Sequence, residues 1–439
     1  MTTSVARGRP PARCAAEDYN HGGRPPLPAQ KAGPLSVSSA ASTPQPPTRL
    51  WSRNFILTFL TNLFLSLVFY LLVTAMALYA VDEFQASEVM SGLAVSAFVL
   101  GAVVARLFTG QAMESIGRQK VLVFALALFL AASALYLVAD SLGLLIAVRF
   151  VHGVGFGAAA TVLAAAVQGM IPPHRRSEGT GWFGTSMNIG AAIGPMLAFQ
   201  LTDRFGFDSL FIVCTGFAVL GLSAGLLLRL PAPQRGSGAR PRFALSGLIS
   251  VPVLPVALVM LLAGLAYSGV LAFLNGYAQE QGISPTVASL FFVVYAAVLV
   301  PSRFIVGPAQ DRYGPNAVVL PLMGLFVAGL AVLALWPTTA GVLLSAGLCA
   351  LGFGSTLTGL QSVAATVVPP FQIGVATSTF FLFLDLGTGL GPVLLGAVLP
   401  VTNFSGMYLG LSGFVLVTMV VYWFAHGRRA QHGAGRGGQ

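Results

Sequence analysis

The sequence predicts an all-α membrane protein of about twelve transmembrane helices, built as two like halves of six. Three observations lead there. Of the 439 residues, 56% are hydrophobic and 8% are charged, where an ordinary soluble domain carries about 25% charged residues. So few charges cannot furnish a water-facing surface. Apolar stretches such as 91–108, 121–139 and 317–336 approach or exceed the ~18 residues that mark a membrane span. The chain also repeats itself without gaps. Subtracting 197 takes Arg303, Gly307 and Gly314 to Arg106, Gly110 and Gly117, and Gly352 and Gly354 to Gly155 and Gly157. The same shift takes Pro369 and Pro370 to Pro172 and Pro173, and Gly391 and Pro392 to Gly194 and Pro195. A hydrophobic chain built as two like halves is the pattern of a secondary transporter, with its binding site where the halves meet.

The elements follow in order. Residues 1–50 are rich in Pro, Ala, Ser and Gly, lack an apolar period, and predict a disordered tail. The apolar run at about 54–81 is too long for the ~7–15-residue core of a signal peptide. Spans are expected at roughly 54–80, 88–109, 121–138, 143–169, 179–201 and 209–229, then at 251–277, 286–307, 317–336, 341–367, 374–400 and 407–425. The two sets coincide after the shift. Helices are required because lipid cannot satisfy the backbone of an open strand. The runs are too evenly apolar for barrel strands of about 9–11 alternating residues. The organisation is then an N-terminal bundle at 51–230, a polar linker at 231–250, a C-terminal bundle at 251–427 and a short tail at 428–439.

Lys and Arg set the orientation. Arg53, Arg118, Lys120, Arg175, Arg176, Arg229, Arg235, Arg240, Arg242, Arg312, Arg428 and Arg429 fall on one side. Asp82, Glu83, Glu88, Asp140, Asp203, Asp208 and Glu280 fall on the other, with Arg204 as their basic exception. The basic side is expected in the cytoplasm, with both termini and the linker. A net charge of +10 placed this way describes a membrane protein and argues against nucleic-acid binding. Cys14, Cys214 and Cys349 have no disulfide or metal-ligand spacing. No cofactor is expected, and no G-x-x-x-x-G-K-[ST] phosphate loop occurs.

Four motifs carry chemistry. The loop after the second span, GQAMESIGRQK from Gly110 to Lys120, pairs with GPAQDRYGP from Gly307 to Pro315. Each has an acid four residues after its first Gly (Glu114, Asp311) and a second Gly three further on (Gly117, Gly314). The glycines permit a tight turn, and the acid can cap a helix N-terminus or pair with Arg118 or Arg312. A plain structural turn would need the same glycines. The fourth span carries RFVHGVGFG, with Arg149 and His152 inside it. A buried Arg costs roughly 2.5–3.5 kcal/mol at a helix centre and faces a cavity or a carboxylate unless it snorkels outward. A lone helical His is more often a packing residue than a proton carrier. The fifth span holds NIGAAIGP (Gly190, Gly194, Pro195) and the eleventh holds DLGTGLGP (Gly387, Gly391, Pro392). Small residues at i, i+4 admit a close helix neighbour, expected here at the interface between halves. Asp385, about eleven residues into its span, is the deepest acid, and its repeat partner is Asn188. Removing a carboxylate from water favours its neutral form, so it can exchange protons within a transport cycle. A fixed ion pair with Arg106, Arg149 or Arg303 is the alternative. Arg106 and Arg303 lie near the cytoplasmic boundary, where they can snorkel, and a gating or topogenic role is expected of them ahead of substrate contact. Asn62, Ser66 and Tyr70 on the first span, Tyr267 and Asn275 on the seventh, Gln361 on the tenth, and Trp182 and Asn188 on the fifth are candidate cavity residues.

These motifs resemble those of the major facilitator superfamily. The loop resembles its G-x-x-x-D-R-x-G-R-K signature, with Glu114 and Ser115 departing in the first copy and Pro315 in the second. RFVHGVGFG and NIGAAIGP resemble elements of its drug/proton antiporter branch, and RRSEG at 175–179 resembles the corresponding loop of a bacterial subgroup that includes opine-metallophore exporters. The resemblance covers nearly everything after residue 50 and implies two six-helix bundles related by a pseudo-twofold axis along the membrane normal, with the first, fourth, seventh and tenth helices lining a central cavity and Arg149 taking part in proton coupling. The expected function is a proton-coupled, monomeric exporter of a small organic molecule, with protons and membrane lipid as its other partners. A proton-coupled importer of a sugar or organic acid is the alternative. A polytopic enzyme lacks convergent titratable groups here, and the gapless repeat disfavours a channel.

Overall fold

The computed structural model describes residues 49–230 and 247–428. The tail at 1–48, the linker at 231–246 with Arg235, Arg240 and Arg242, the tail at 429–439, and Cys14 lie outside the described residues.

Among the described residues the regular structure is helical. α1 spans Arg53–Phe84, α2 Glu88–Ser115, α3 Arg118–Leu135, α4 Leu142–Met170 and α5 Arg176–Leu227. α6 spans Leu254–Glu280, α7 Pro285–Tyr313, α8 Pro315–Leu335, α9 Thr339–Cys349, α10 Ser355–Thr366 and α11 Ile373–Tyr422. α9 and α10 are one span joined by a π turn at Ala350–Gly354. Side-chain caps begin several of them. Ser52 accepts from the Phe55 N–H at 3.2 Å, Ser87 from Met90 at 3.4 Å and Thr338 from Gly341 at 3.2 Å.

The twelve expected spans are present as ten apolar helices, because two are double length. α5 has 52 residues and α11 has 50. At ~1.5 Å per residue each is more than twice a ~30 Å hydrocarbon core. Gly206 (φ 77°, ψ 176°) interrupts the first and Asn403 (φ 54°, ψ 177°) the second. The chain reverses at both points. Along α1, Asn62 meets Ser186, Tyr70 meets Gly194 and Tyr79 meets Phe207 and Phe211. Phe64 then meets Gly221, and Thr61 meets Gly225, on the way back. Glycine tolerates this backbone freely. Asn403 offsets its cost by accepting the Gly406 N–H at 2.8 Å, which starts the last span.

Backbone conformation records the duplication. The described residues with positive φ are Gln85 and Gly282, Gly117 and Gly314, and Gly206 and Asn403. Each pair is 197 apart (282 − 85, 314 − 117, 403 − 206). Packing repeats too. A Cβ on Gly155 would strike the Phe129 backbone, and one on Gly352 would strike Phe326, again 197 residues on.

Polar contacts gather the loops at two ends. Asn54 donates to the Arg229 carbonyl at 3.1 Å, Leu230 to Gln119 at 3.2 Å and Asn316 to the Gly427 carbonyl at 2.7 Å. This is the basic end, where Arg53, Arg118, Lys120, Arg175, Arg176 and Arg312 lie. Asp82, Glu83, Asp140, Asp203, Asp208 and Glu280 lie at the other. Between the ends, many large apolar side chains are exposed, including Phe124, Phe199, Phe304 and Val393. That is the surface a bilayer requires.

Candidate functional site: the seam between the halves

At the basic end each half caps a helix of the other. Asp311, at the end of α7, accepts the Ser177 N–H at 2.7 Å and the Glu178 N–H at 3.0 Å, at the start of α5. Glu114, at the end of α2, accepts the Val375 N–H at 3.4 Å, at the start of α11. The acids differ by 197, and so do Glu178 and Val375. Exchanging the halves maps one contact onto the other, which is the signature of a twofold axis. Each carboxylate meets orphan N–H groups and the positive end of a helix dipole. Gly110 and Gly307 let the backbones come this close. A Cβ on Gly110 would stand 2.8 Å from Val375 Cα, and one on Gly307 would collide with the Glu178 backbone. Gly117 and Gly314 form the turns behind the acids. Arg118 and Arg176 lie within electrostatic reach of Glu114 and Asp311. Arg312 does not join them; it is exposed and lies over the Tyr313 ring at 5.2 Å.

Deeper in the seam, Arg106 Nε stands 2.7 Å from Asp385 Oδ2. The contact joins α2 to α11 and so joins one half to the other. The guanidinium also lies over Phe381 at 4.9 Å, and the Ser378 hydroxyl donates to the Arg106 carbonyl. Arg106 and Arg303 are 5% and 2% exposed, so neither takes the snorkelling route open to it. α2 and α7 run well past both residues toward the basic end, so neither side chain reaches water.

Arg149 and His152 form a separate cluster inside the first half. Arg149 is fully buried, which excludes snorkelling. Its Nε donates to the Ala94 carbonyl at 3.0 Å, its guanidinium covers Phe98 at 4.7 Å, and Nη1 and Nη2 have no hydrogen-bond partner. His152 places its ring nitrogens 3.1 Å from Ser133 Oγ and 3.0 Å from Tyr136 OH and stacks against Phe129 at 4.2 Å. The structure thus separates Asp385 from the other two proton-coupling candidates.

The glycine motifs also differ from expectation. Gly190 and Gly194 pack on Ser66 and Tyr70, where a Cβ would stand 2.8 and 2.5 Å from the facing Cβ atoms. Gly387 packs on the Leu261 backbone, and Gly391 on Leu265 and Ser268. Both contacts lie within a half, α1 on α5 and α6 on α11, so these motifs do not form the interface between halves. Pro195 and Pro392 follow inside the same helices. A smooth face at i, i+4 specifies close approach and leaves the partner open.

The cavity candidates divide. Asn62 donates to Ser186 Oγ at 2.8 Å, and Ser66 donates to the Asn62 carbonyl at 2.7 Å, both buried between α1 and α5. In this state both serve the α1–α5 contact, Asn62 through its bond to Ser186 and Ser66 through the close approach of Gly190. Trp182 lies between Trp51 (5.5 Å) and Phe304 (4.8 Å) and covers the α5–α7 seam instead of walling a cavity. Tyr70 and Tyr267 are repeat partners. Tyr267 stacks on Phe353 at 4.1 Å and meets Tyr295 at 5.7 Å, and Tyr70 lies within electrostatic reach of both tyrosines. Asn188 Nδ2 and Gln361 Nε2 are buried without a partner, as polar atoms do that await water or a ligand. Asn275 is exposed on α6. Among the described residues no three His, Cys, Asp or Glu side chains gather as a metal site.

The sequence reading missed Tyr295, Phe353 and Thr358, which surround Tyr267 and Arg303. The repeat held one usable signal: Tyr295 and Phe353 are the partners of Phe98 and Phe156, which flank each other in the first half at 5.2 Å.

Comparison with known proteins agrees with this architecture. The Major Facilitator Superfamily model matches residues 58–281 and 256–438. An uncharacterised MFS-type transporter of Escherichia coli (strain K12), YhhS, is 25% identical over 369 residues, covering 81% of this chain and 88% of the relative. An uncharacterised MFS-type transporter of Burkholderia mallei (strain SAVP1) is 24% identical over 384 residues, covering 85% and 93%. The human organic anion transporter MFSD10 superposes with a TM-score of 0.68 at 19% identity, covering 84% of this chain and 99% of that one. FucP, solved in the outward conformation, gives 0.70 at 17% identity, covering 86% and 99%. Both structures share the fold. Two repeat-related bundles, reciprocal helix caps across their seam and a family match to both halves lead to one conclusion: the chain belongs to the Major Facilitator Superfamily and is a multi-pass membrane transporter.

Proposed function

We propose that the chain is a proton-coupled exporter of a small organic molecule, working by alternating access in the cytoplasmic membrane with its basic end in the cytoplasm. The observation that carries the reading is the Arg106–Asp385 contact at 2.7 Å, a charge pair between halves. Breaking a buried pair by removing one charge costs about 3–5 kcal/mol, enough to reverse a two-state equilibrium. A proton arriving from the acidic end neutralises the Asp385 carboxylate and removes its attraction for Arg106. The caps at Asp311 and Glu114 then part, the basic end opens, and a substrate molecule binds. Release of the proton to the cytoplasm restores the pair, closes that end and sends the substrate outward.

The positive-inside pattern supports the orientation, with both termini and the linker in the cytoplasm. The intact NIGAAIGP element in the fifth span supports export and the drug/proton antiporter branch, and the RRSEG loop supports the metallophore-exporter subgroup. Both halves of the seam come from one chain, so a monomer suffices as the working unit. A proton-coupled importer is the second reading, because the structural relative FucP is a fucose:proton symporter. Everted membrane vesicles with an acidified lumen separate the two. An exporter admits substrate and releases lumenal protons when members of a metabolite and drug panel are added outside. Uptake that fails on acidification, with substrate leaving alongside protons, identifies an importer.

A further inference from the structure

The two halves treat their equivalent arginines differently. Arg303 is the repeat partner of Arg106 (303 − 197 = 106). Facing Arg106 on α11 are Ser378, Phe381 and Asp385, which supply a hydroxyl, an aromatic face and a negative charge. Subtracting 197 from these gives Gly181, Gly184 and Asn188 on α5. The hydroxyl, the ring and the charge are all missing there. A Cβ on Gly181 would stand 3.1 Å from Arg303 Cδ and 3.9 Å from Nε, and one on Gly184 would stand 3.8 Å from Nη2. A Cβ on Gly184 would also stand 2.8 Å from Thr358 Cγ2, so the two glycines bring α5 up against Arg303 and Thr358 and place no charge, hydroxyl or ring there.

A small cavity lies beside Gly181 in the seam between halves, lined by Ser177, Gly181, Arg303, Gln310, Ser355 and Thr358 among others. Arg303 is 2% exposed. Nη1 donates to Thr358 Oγ1 at 2.6 Å and Nη2 to the Gly354 carbonyl at 3.4 Å, both neutral acceptors, while Nε has no partner. The ion pairs among the described residues are Arg106–Asp385 and Arg175–Glu178, so no carboxylate neutralises Arg303. A buried charge without a counter-charge is strongly unfavourable. Gln310 Oε1, on the same wall, also lacks a partner and calls for a donor such as water.

We propose that Arg303, in the α5–α7 seam, is the binding point for a small anionic group, chloride or the carboxylate of a transported molecule. The ligand supplies to Arg303 the negative charge that Asp385 supplies to Arg106. It reaches the site when α5 and α7 part at the basic end and the small cavity widens. This deepens the transporter reading and rests on it for the carboxylate source. The test reads binding alone, so its failure leaves the transport cycle untouched, and a failed transport assay leaves this site standing.

The experiment uses the full chain in lipid nanodiscs at fixed ionic strength. Bulky isethionate is replaced stepwise by chloride in one arm and by formate or acetate in the other, with the thermal midpoint and tryptophan fluorescence as readouts. A saturable rise in midpoint is expected in the wild type. A response to chloride alone assigns an inorganic ion; a response to formate or acetate that chloride competes away assigns a carboxylate. Asn188→Asp puts a carboxylate at the repeat equivalent of Asp385 and should make the midpoint independent of both. Arg303→Gln should do the same, and Asn188→Asp carries the test if that variant does not fold. A wild-type midpoint that saturates with none of these anions overturns the proposal, as does a response unchanged in Asn188→Asp.

Discussion

Adding a single methyl group at Gly307 should open the basic end. Gly307 faces the Glu178 backbone across the seam so closely that a Cβ has no room, and the obstruction is main chain, which cannot rotate away. Overpacking of this kind costs about 1–3 kcal/mol. The penalty falls only on the state in which α5 and α7 touch, so it shifts the population toward the open state by about 5–150-fold. Ser177→Cys reads the shift, because Ser177 is 6% exposed and lies within the seam. In a background with Cys14 replaced, a membrane-impermeant maleimide should label this cysteine at least several-fold faster when Gly307→Ala is added. Gly190→Ala is the control. Its Cβ would stand 2.8 Å from Ser66 Cβ, inside one half. It should lower the thermal midpoint without speeding the labelling. Equal labelling in wild type and Gly307→Ala would refute the reasoning, as would an increase in Gly190→Ala.

Three further outcomes are expected. Asp385→Asn should abolish proton-driven transport while leaving expression intact, so normal coupled flux in that variant removes Asp385 from the mechanism. At about 0.5–2 kcal/mol for a lost cap, Asp311→Ala should loosen the seam more than Glu114→Ala, since Asp311 accepts two N–H groups and Glu114 one, at 3.4 Å; the reverse order in cysteine labelling contradicts that assignment. His152→Gln should lower the thermal midpoint by an amount matching about one hydrogen bond, ~1 kcal/mol, without moving the pH profile of transport, whereas a displaced profile makes His152 a proton carrier.

Most of the fold was legible because hydropathy and duplication are properties of the chain itself. The 197-residue offset located both halves, and the positive-φ pairs at Gln85 and Gly282, Gly117 and Gly314, and Gly206 and Asn403 reproduce it in the backbone. The acids Glu114 and Asp311 were legible as capping groups from their spacing, whereas the helix each one caps depends on tertiary structure. The choice of Arg106 as the partner of Asp385 was equally hidden, since three arginines were available and nothing local ranks them. Asn62 and Ser66 carried the polar signature of a cavity wall, and the small residues of α5 drew them into a helix contact instead. Trp182 looked like an apolar wall for the same reason: a sequence shows that a side chain is large and apolar, and packing decides which surface it covers.

The most direct test of proton-controlled closure is a spin-label distance across the seam. Labels at the exposed residues Ser115, at the end of α2, and Phe371, just before α11, report the separation of the halves at the basic end. Lowering the pH neutralises Asp385, so a short distance that dominates at high pH should give way to a longer one as the solution is acidified. In Asp385→Asn the distribution should stay fixed in the long form at every pH. A single distance unmoved by pH, or an Asp385→Asn variant that still responds as the wild type does, would contradict the account.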